Sequence, residues 1–335
     1  MAVPDADGPV ADELRARGVT VFRWRARPQP GPWVALELGR LARIVRSFDP
    51  ALLHLHSSKA GLVGRLLVRR RRPTVMQPHS WSFFARTGRI RDATLRWERF
   101  GARWADVVLC VSEDERRLGQ AEGVSARYAV LPNGVDLHAF PAPADGDRAA
   151  ARERLGLGEG EPLAVCVGRL HRQKNQGALL DAWPLVRSSV PDARLVLLGE
   201  GPDRDELASR LVDGVTLAGQ TSDVHSWLAA SNVVAQPSRW EGMSLSLLEA
   251  LAAARSVVVT DVPGMREVVV DGVGAVVPPD DTDALASALA SRLGDPSRAD
   301  AEGAAGRARV ESHHDRRKQF DGIAQLYDEL LGSRA

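Results

Sequence analysis

The chain has 335 residues, of which 44% are hydrophobic and 26% charged, as in ordinary soluble globular proteins. This length favours two domains of about 150 residues over a single core. No apolar run approaches the ~18 residues that cross a bilayer, and the polar start is no signal peptide, so we predict a cytoplasmic protein. Cys110 and Cys166 lie in apolar, strand-like runs, which favours buried core thiols over a disulfide or a metal site.

The charge is unevenly distributed along the chain. Residues 1–140 carry 23 basic and 14 acidic side chains, whereas residues 141–335 carry 21 and 29. The basic half predicts an anionic partner, such as a membrane surface or a phosphorylated acceptor. The run Arg69–Arg72 belongs to this excess, although it equally fits a solvated helix end facing the negative end of the dipole. Basic residues do not alternate with exposed aromatics in a recognisable module, so nucleic acid is not expected as a partner.

Strands and helices alternate through the first part of the chain. Helices are predicted at residues 9–17, 33–47, 59–70 and 88–103, and strands at 19–23, 52–55, 74–76, 106–111 and 128–131. Ser112 and Glu115 have the spacing of a capping box at the start of a further helix. After the turn Pro132–Asp136 the composition changes to Pro, Ala, Gly and charged residues. Residues 139–160 are therefore the predicted linker between domains.

The alternation resumes in the second half. Strands are predicted at residues 163–167, 194–198, 215–217, 233–235, 257–260 and 275–277, with helices between them. Repeated strand–helix units with short apolar strands predict an α/β fold with two doubly wound, Rossmann-like domains. We assign the domains to residues 1–138 and 139–314, and expect the amphipathic helix of residues 315–335 to pack back on the first.

Two cations follow the predicted strand at residues 163–167. Arg169 and Lys174 lie after Gly168 on one loop, between the end of a strand and the start of a helix. Ligands of doubly wound folds bind outside the carboxyl ends of strands. A departing nucleotide diphosphate needs its charge neutralised, for which arginine offers a planar fork and lysine a point charge. Taken alone, the pair also fits a solvated loop.

A second stretch, residues 237–250, follows the strand at 233–235 and becomes a Leu-rich helix. Gly242 allows the backbone to approach a ligand closely. The predicted first-turn amides, which could bind phosphate, belong to Met243, Ser244 and Leu245.

Two carboxylates belong to the same stretch. Glu241 stands just before the predicted helix and Glu249 lies within it, up to about 12 Å apart along the axis. That separation matches the reach of a nucleotide-diphosphate sugar, although two glutamates at this spacing also arise by chance.

Together these motifs resemble the donor site of the retaining GT-B glycosyltransferases of family four. The resemblance rests on Gly168–Arg169 with Lys174, and on Glu241 and Glu249 after Pro-Ser-Arg-Trp. The turn Pro132–Asp136 is similar to the interdomain motif of that family. The resemblance implies two Rossmann-like domains facing a cleft and sugar transfer from a nucleotide-diphosphate sugar with retention, without a metal or another cofactor. The alternative is a non-catalytic relative that acts as a partner subunit.

The resemblance also implies roles for individual residues. Arg169 and Lys174 would hold the diphosphate, Glu241 would contact hydroxyls of the donor sugar, and Glu249 would bind the ribose. The acceptor hydroxyl would attack from the face of the leaving group, with a phosphate oxygen accepting its proton. The acceptor would be an envelope glycan, a lipid-linked glycan or a small metabolite, reached at the inner face of the membrane if the basic domain binds there.

Polar residues also follow strands on the acceptor side and near the expected nucleotide base. His79 follows the strand at 74–76 and by resemblance would touch the sugar, although a lone histidine is more often structural. We assign His56 and Lys59 to the acceptor side. His54 and His56 share a strand face, but without a third ligand they predict no metal site. Gln220 would frame the base, while Ser222 or Asp223 nearby would equally cap a helix.

The start of the chain departs from the family pattern. Members usually open with a buried strand, a Gly-rich loop and a helix, whereas the first element predicted here is the helix at residues 9–17. We therefore expect the N-terminal domain to lack its first strand, loop and helix. A missing central strand would leave apolar surface uncovered and a strand edge unpaired.

Overall fold

A computed structural model of the protein describes residues 1–4, 6–27, 30–144 and 146–333. The chain divides into two compact units. The first contains Met1–Val111, Glu115–Leu131 and Ile323–Ala335, and the second contains Ser112–Asp114 and Pro132–Gly322. The turn Pro132–Asp136 therefore belongs to the second unit, which begins before the boundary assigned from composition.

Strands and helices alternate along the chain. The elements up to residue 130 are β1 (Ala2–Val3), α1 (Pro9–Ala16), β2 (Phe22–Arg23), α2 (Val34–Phe48), β3 (Leu53–His56), α3 (Ser57–Val68), β4 (Thr74–Gln77), α4 (Gly88–Gly101), a 3₁₀ turn (Ala102–Trp104), β5 (Val107–Cys110), α5 (Glu113–Ala121) and β6 (Tyr128–Val130). The later ones are α6 (Asp147–Leu155), β7 (Leu163–Val167), α7 (Gly177–Ser189), β8 (Arg194–Leu198), α8 (Arg204–Ser209), β9 (Val215–Gly219), α9 (Val224–Ala230), β10 (Val233–Gln236), α10 (Leu245–Ala252), β11 (Ser256–Thr260), β12 (Gly274–Val277), α11 (Thr282–Leu293), α12 (Pro296–His313) and α13 (Arg316–Gly332).

The sheets are parallel, as the repeated strand–helix units predict. A four-stranded sheet in the first unit has the order β3-β4-β5-β6, and a six-stranded sheet in the second has the order β12-β11-β10-β7-β8-β9. The central strands are buried on both faces, which explains their continuous apolar runs. The predicted α/β class is confirmed.

The helices cover these sheets with apolar side chains. In the second unit the fully buried Trp183 of α7 belongs to a core with strands β7 and β8 and with α11. In the first unit Leu326 and Leu330 of α13 pack with Val75 and Leu109. Helix α13 begins in the second unit, and its residues from Ile323 onward belong to the first.

The N-terminal strands form a sheet of their own. Strand β1 pairs with β2 in parallel, while β3 is an edge strand of the four-stranded sheet. A groove of about 720 Å³ lies between them, lined largely by apolar side chains such as Trp24, Leu41 and Leu53. Strand β1 escaped prediction because two residues carry no periodic pattern.

Two further details differ from the sequence-based expectations. The predicted linker contains helix α6, whose Ala151 packs with Val165 in the second unit. The carboxylate of Glu115 accepts hydrogen bonds from the backbone amides of Val111 (2.8 Å) and Ser80 (2.5 Å), contacts that the predicted capping box did not include.

Buried ion pairs fix helices of the first unit. Arg65 on α3 donates to Glu98 on α4 at 2.8 Å, and the two side chains are 1% and 2% exposed. We predict that Glu98→Ala lowers the free energy of unfolding by about 3–5 kcal/mol, because Arg65 keeps an uncompensated buried charge. Asp213→Ala, which removes the 90% exposed partner of Arg187, should cost no more than about 1 kcal/mol. Denaturant unfolding compares the two, and equal losses would contradict the prediction.

Candidate functional site

The six-stranded sheet reverses its order between β7 and β10. Strands β8 and β9 continue on one side of β7, whereas β10, β11 and β12 lie on the other. At such a reversal the connections leave in opposite directions, which opens a crevice at the carboxyl ends of the strands. The loops that follow β7 and β10 are those that carry the two sequence motifs. The fold therefore places the loop of Arg169 and Lys174 beside the loop of Glu241.

An ion pair joins the two loops. Nζ of Lys174 lies 2.7 Å from Oε1 of Glu241, with side-chain exposures of 19% and 9%. Next to it, Nε2 of Gln173 donates to the carbonyl oxygen of Trp240 at 2.9 Å, and the amide of Arg239 donates to the carbonyl of Gln173 at 2.8 Å. Because the pair is largely shielded from water, its attraction is stronger than that of a surface pair.

Further polar contacts orient the Glu241 carboxylate. Oγ of Ser238 donates to Oε1 at 2.9 Å, and Nε2 of Gln173 lies 3.5 Å from Oε2. The carbonyl of Ser238 in turn accepts from Oγ1 of Thr260 at 2.5 Å. No sequence pattern identifies Gln173, Ser238 or Thr260 as site residues, although the first two flank Lys174 and Glu241 in the motifs.

Glycines allow the backbones beneath these loops to touch. A Cβ on Gly264 would lie 1.9 Å from the carbonyl oxygen of Gly242, and one on Gly199 would lie 2.0 Å from that of Gly168. Both positions also have positive φ angles, +79° and +142°. Gly242 thus meets Gly264, a glycine that the sequence does not single out, while its predicted close approach to a ligand stays a prediction.

Helix α10 begins at Leu245, directly after the β10 loop. Ser244 is the N-cap residue, but its hydroxyl turns to Oε1 of Gln236 (2.9 Å) instead of capping the helix. Gln236 also donates to Oγ of Ser246 at 2.9 Å. First-turn amides have no acceptor inside a helix. These amides therefore begin at Leu245, slightly later than the predicted set of Met243, Ser244 and Leu245.

The remaining donor-side residues differ in exposure. Glu249 is partly buried, and burial raises the pKa of its carboxyl while the charge of Lys174 opposes that shift. Arg169 is exposed, and among the residues that the structure describes it has no carboxylate within ion-pair distance. Gln220 is exposed at the end of the edge strand β9. The carboxylate of Asp223 accepts a hydrogen bond from the amide of Ser226 at 3.1 Å and so caps α9. This contact favours the capping role of Asp223 over contact with a nucleotide base.

The turn Pro132–Asp136 binds the loop that follows β10 through a side-chain hydrogen bond. Nδ2 of Asn133 donates to the carbonyl of Met243 at 2.9 Å, and Oδ1 of Asn133 accepts from Gln319 at 3.2 Å. The amide of Gly134 donates to Gln319 at 3.1 Å. A Cβ on Gly134 would lie 2.5 Å from Cα of Arg316, so only glycine fits there.

Three histidines form a chain in the first unit. Nδ1 of His56 lies 2.9 Å from Nε2 of His79, and the rings of His54 and His56 stack at 4.0 Å. Nδ1 of His54 lies 2.6 Å from the hydroxyl of Tyr327. Burial, aided by the neighbouring histidines, lowers the pKa of His54 to about 3 and that of His79 to about 4, and burial also lowers the pKa of His56. The rings are therefore neutral near pH 7 and can exchange hydrogen bonds with hydroxyl groups.

Lys59 is engaged inside the first unit. Its Nζ lies 2.9 Å from Oε2 of Glu37, which is 1% exposed, and Oε1 of Glu37 accepts from the amide of Arg27 at 2.8 Å. This ion pair offsets the charge of Lys59. Its predicted role on the acceptor side stays a prediction.

Neither a metal cluster nor a membrane-spanning helix is found in the described part of the chain. No group of three or more His, Cys, Asp or Glu side chains there could hold a metal ion. None of its helices combines the length and apolar character needed to cross a bilayer.

Two family models match the chain. Residues 1–139 match the family model for Glycosyltransferase Family 4, and residues 161–295 match that for Glycosyl transferases group 1. A GDP-mannose-dependent alpha-(1-6)-phosphatidylinositol monomannoside mannosyltransferase of Mycobacterium tuberculosis is 34% identical over 97% of the chain and 86% of its own length. The chain belongs to the family 4 glycosyltransferases.

Two other relatives of this family match over a shorter span. A similarly named enzyme of Mycolicibacterium smegmatis is 39% identical, over 61% of the chain and 57% of its own length. A GDP-mannose-dependent mannosyltransferase of Corynebacterium glutamicum, acting by its name on a monoacylated phosphatidylinositol monomannoside, is 34% identical over 62% of the chain and 58% of its own length. The chain thus covers less than two thirds of either relative.

Solved structures confirm the GT-B fold. Sucrose-phosphate synthase of Thermosynechococcus elongatus superimposes with a TM-score of 0.82 at 24% identity, over 95% of this chain and 84% of the other. HepE of Anabaena, in complex with UDP and glucose, gives a TM-score of 0.83 at 22% identity, over 96% and 90% of the two chains.

The lowered histidine pKa values of the first unit predict a pH-dependent stability. Between about pH 6.5 and pH 4 an unfolded histidine binds a proton that folded His79 does not, so the free energy of unfolding should fall as the pH falls through this window. His79→Asn should reduce that fall, since asparagine tolerates the left-handed backbone (φ +55°) and does not titrate. Denaturant unfolding at pH 7 and at pH 4.5 measures the difference. An equal fall in both proteins would contradict the prediction.

Proposed function

We propose that the protein is a retaining glycosyltransferase that moves a hexose from a nucleotide-diphosphate sugar to an acceptor hydroxyl. The observation that carries the proposal is the Lys174–Glu241 ion pair, which joins the loops after β7 and β10 beside the first turn of α10. The cations, the two carboxylates and the first-turn amides of α10 would then face a donor bound at the crevice where doubly wound folds bind nucleotides.

The charged and the neutral parts of the donor would bind different groups of the site. The diphosphate would bind Arg169, Lys174 and the first-turn amides of α10. As Lys174 turns toward phosphate, Glu241 would accept hydrogen bonds from sugar hydroxyls while Ser238 and Gln173 keep its orientation. Glu249, further along α10, would accept from the ribose hydroxyls.

The proposed reaction is the one that the resemblance to retaining family members implies. The bond between the anomeric carbon and the diphosphate oxygen breaks, and a bond forms from that carbon to the acceptor oxygen on the same face. The acceptor proton passes to an oxygen of the departing phosphate, so the nucleoside diphosphate leaves with it. Arg169 and Lys174 stabilise the negative charge that develops on the leaving group. His79 and His56, as neutral hydrogen-bonding groups, would contact the sugar and the acceptor.

GDP-mannose is the first donor to test, and a phosphatidylinositol mannoside the first acceptor. The names of the relatives in Mycobacterium tuberculosis and Mycolicibacterium smegmatis support this choice. We further propose a cytoplasmic protein that meets the inner face of the membrane through its basic N-terminal part.

Calorimetric binding of a nucleotide-sugar panel, followed by mass spectrometry of products, tests the function. Donor binding with a glycosylated product whose anomeric configuration is retained is the expected result. A folded protein that binds no nucleotide sugar would contradict the proposal. Donor binding without any product would favour the alternative, a non-catalytic partner subunit.

Substitution of Arg169 tests the assignment of the diphosphate site. Arg169→Ala should weaken donor binding about 10- to 100-fold, the cost of one charge-assisted contact. Arg172→Ala is the matched control, since that arginine is exposed on the same loop and should change affinity no more than about twofold. Equal weakening in both variants would show only a general effect of charge.

The two cations also predict that transfer requires no divalent ion. Arg169 and Lys174 supply the positive charge that Mg²⁺ supplies in metal-dependent sites. Initial rates should therefore be unchanged after dialysis against EDTA. A loss of activity that Mg²⁺ or Mn²⁺ restores would contradict this prediction.

A further inference from the structure

An arginine- and tryptophan-rich surface lies at the C-terminal ends of α3 and α4. We call it the Arg–Trp face, and it consists of Arg69, Arg70, Arg71, Arg96, Trp97, Phe100, Arg103 and Trp104. The members on α4 and its 3₁₀ turn recur at intervals of three or four residues, which puts them on one side of the helix. Leu95, Glu98 and Ala102 occupy the opposite, buried side.

Ring and guanidinium contacts make this surface continuous. Phe100 and Trp104 pack edge to face with centroids 4.9 Å apart, and Trp97 lies 6.1 Å from Trp104. Cζ of Arg103 lies 4.1 Å from the Phe100 centroid, and Cζ of Arg69 lies 5.5 Å from that of Trp104. The aromatic rings are therefore held in place by one another and by the arginines around them.

Positive charge dominates the surface. Residues 65–106 contain eleven arginines and three acidic residues. Of the acidic ones, Glu98 is buried with Arg65, and the largely buried Asp106 accepts from the Thr74 amide and lies 3.6 Å from Arg70. Asp92 is exposed and lies 3.9 Å from Arg91. Arg69, Arg70, Arg71, Arg96 and Arg103 are all exposed.

We propose that the Arg–Trp face is a docking surface for an anionic lipid bilayer. Arginine side chains are attracted to anionic headgroups, and aromatic rings favour the boundary between headgroups and acyl chains. Phe100 is 43% exposed, so its ring adds apolar surface among these charges. The inference rests on the proposed contact of the basic N-terminal part with the membrane and assigns that contact to one surface; its test requires no nucleotide sugar.

The packing of the rings favours lipid over nucleic acid. Bases stack on open aromatic faces. On this surface Arg103 lies over the ring of Phe100 and Arg69 over that of Trp104, while the two rings meet at an interplanar angle of 85°. Guanidinium groups thus occupy ring faces that a base would need, whereas bilayer contact uses ring edges and the charges themselves.

Vesicle co-sedimentation of the full chain without nucleotide sugar tests the proposal. We expect binding to phosphatidylcholine vesicles with about one third phosphatidylglycerol, weak binding to phosphatidylcholine alone, and loss of binding at high salt. Arg69→Glu combined with Arg103→Glu should weaken binding more than about tenfold. Arg43→Glu with Arg46→Glu on α2 is the matched control, with the same charge change at exposed positions of the same unit, and should retain most of the binding.

A second readout reports the contact itself. Brominated lipids should quench tryptophan fluorescence of the protein, and Trp104→Phe should remove much of that quenching while keeping the packing of the ring. Circular dichroism establishes that each variant is folded. If the charge-reversal variant is not folded, the test is repeated with Arg69→Gln combined with Arg103→Gln. Equal losses in both double variants, equal binding to neutral vesicles, or an oligonucleotide as the only ligand would each overturn the proposal. Donor binding measured in parallel separates its failure from failure of the proposed function.

Discussion

The pairing of β10 with β7 is the constraint on which the candidate site depends. Val233 and Val234 lie beside Ala164 and Val165 in a parallel register, although about 70 residues separate the two strands in the chain. Parallel neighbours end at the same edge of a sheet, so the loops that follow them must emerge side by side. The Lys174–Glu241 ion pair, the Gln173 contacts and the start of α10 all follow from that adjacency. The catalytic assignments rest on backbone pairing as much as on charge.

Local patterns predicted the elements well and the contacts between them poorly. Apolar runs bounded by glycine and proline indicated most strands and the α/β class, and the loop after β7 carried its charges in a recognisable order. The partner of Lys59 could not be predicted, because Glu37 lies on another helix and no spacing rule connects the two. Ser238 and Gly264 act through tertiary contacts with Glu241 and Gly242, and such contacts leave no periodic trace in a sequence. The sequence did not predict helix α6, because the composition of residues 139–160 also fits a linker.

The charge count of the sequence conceals two different uses of arginine. Some arginines are buried and donate to backbone carbonyls: Arg152 donates to Ala230 at 2.9 Å, and Arg255 donates to Ala229 at 3.3 Å and to Ser231 at 3.1 Å. Burial lowers the pKa of Arg255 to about 10, yet the side chain remains charged at neutral pH. Others, such as Arg103, are exposed and contact aromatic rings. Only the structure separates the arginines that hold strand ends and helices together from those that present charge to a partner.

The contact between Asn133 and Gln319 bears on how the protein folds during synthesis. Those residues are 186 positions apart, and Asn133 also binds the carbonyl of Met243 in the loop before α10. The ribosome delivers the chain from its N-terminus, so strands β1 to β12 are complete before Gln319 emerges. The nascent protein can therefore assemble its sheets early, while Asn133, whose side chain binds the carbonyl of Met243, acquires its bond to Gln319 only when α13 arrives. The hydrogen bonds that fix the turn around Asn133 are thus among the last that the growing chain can form.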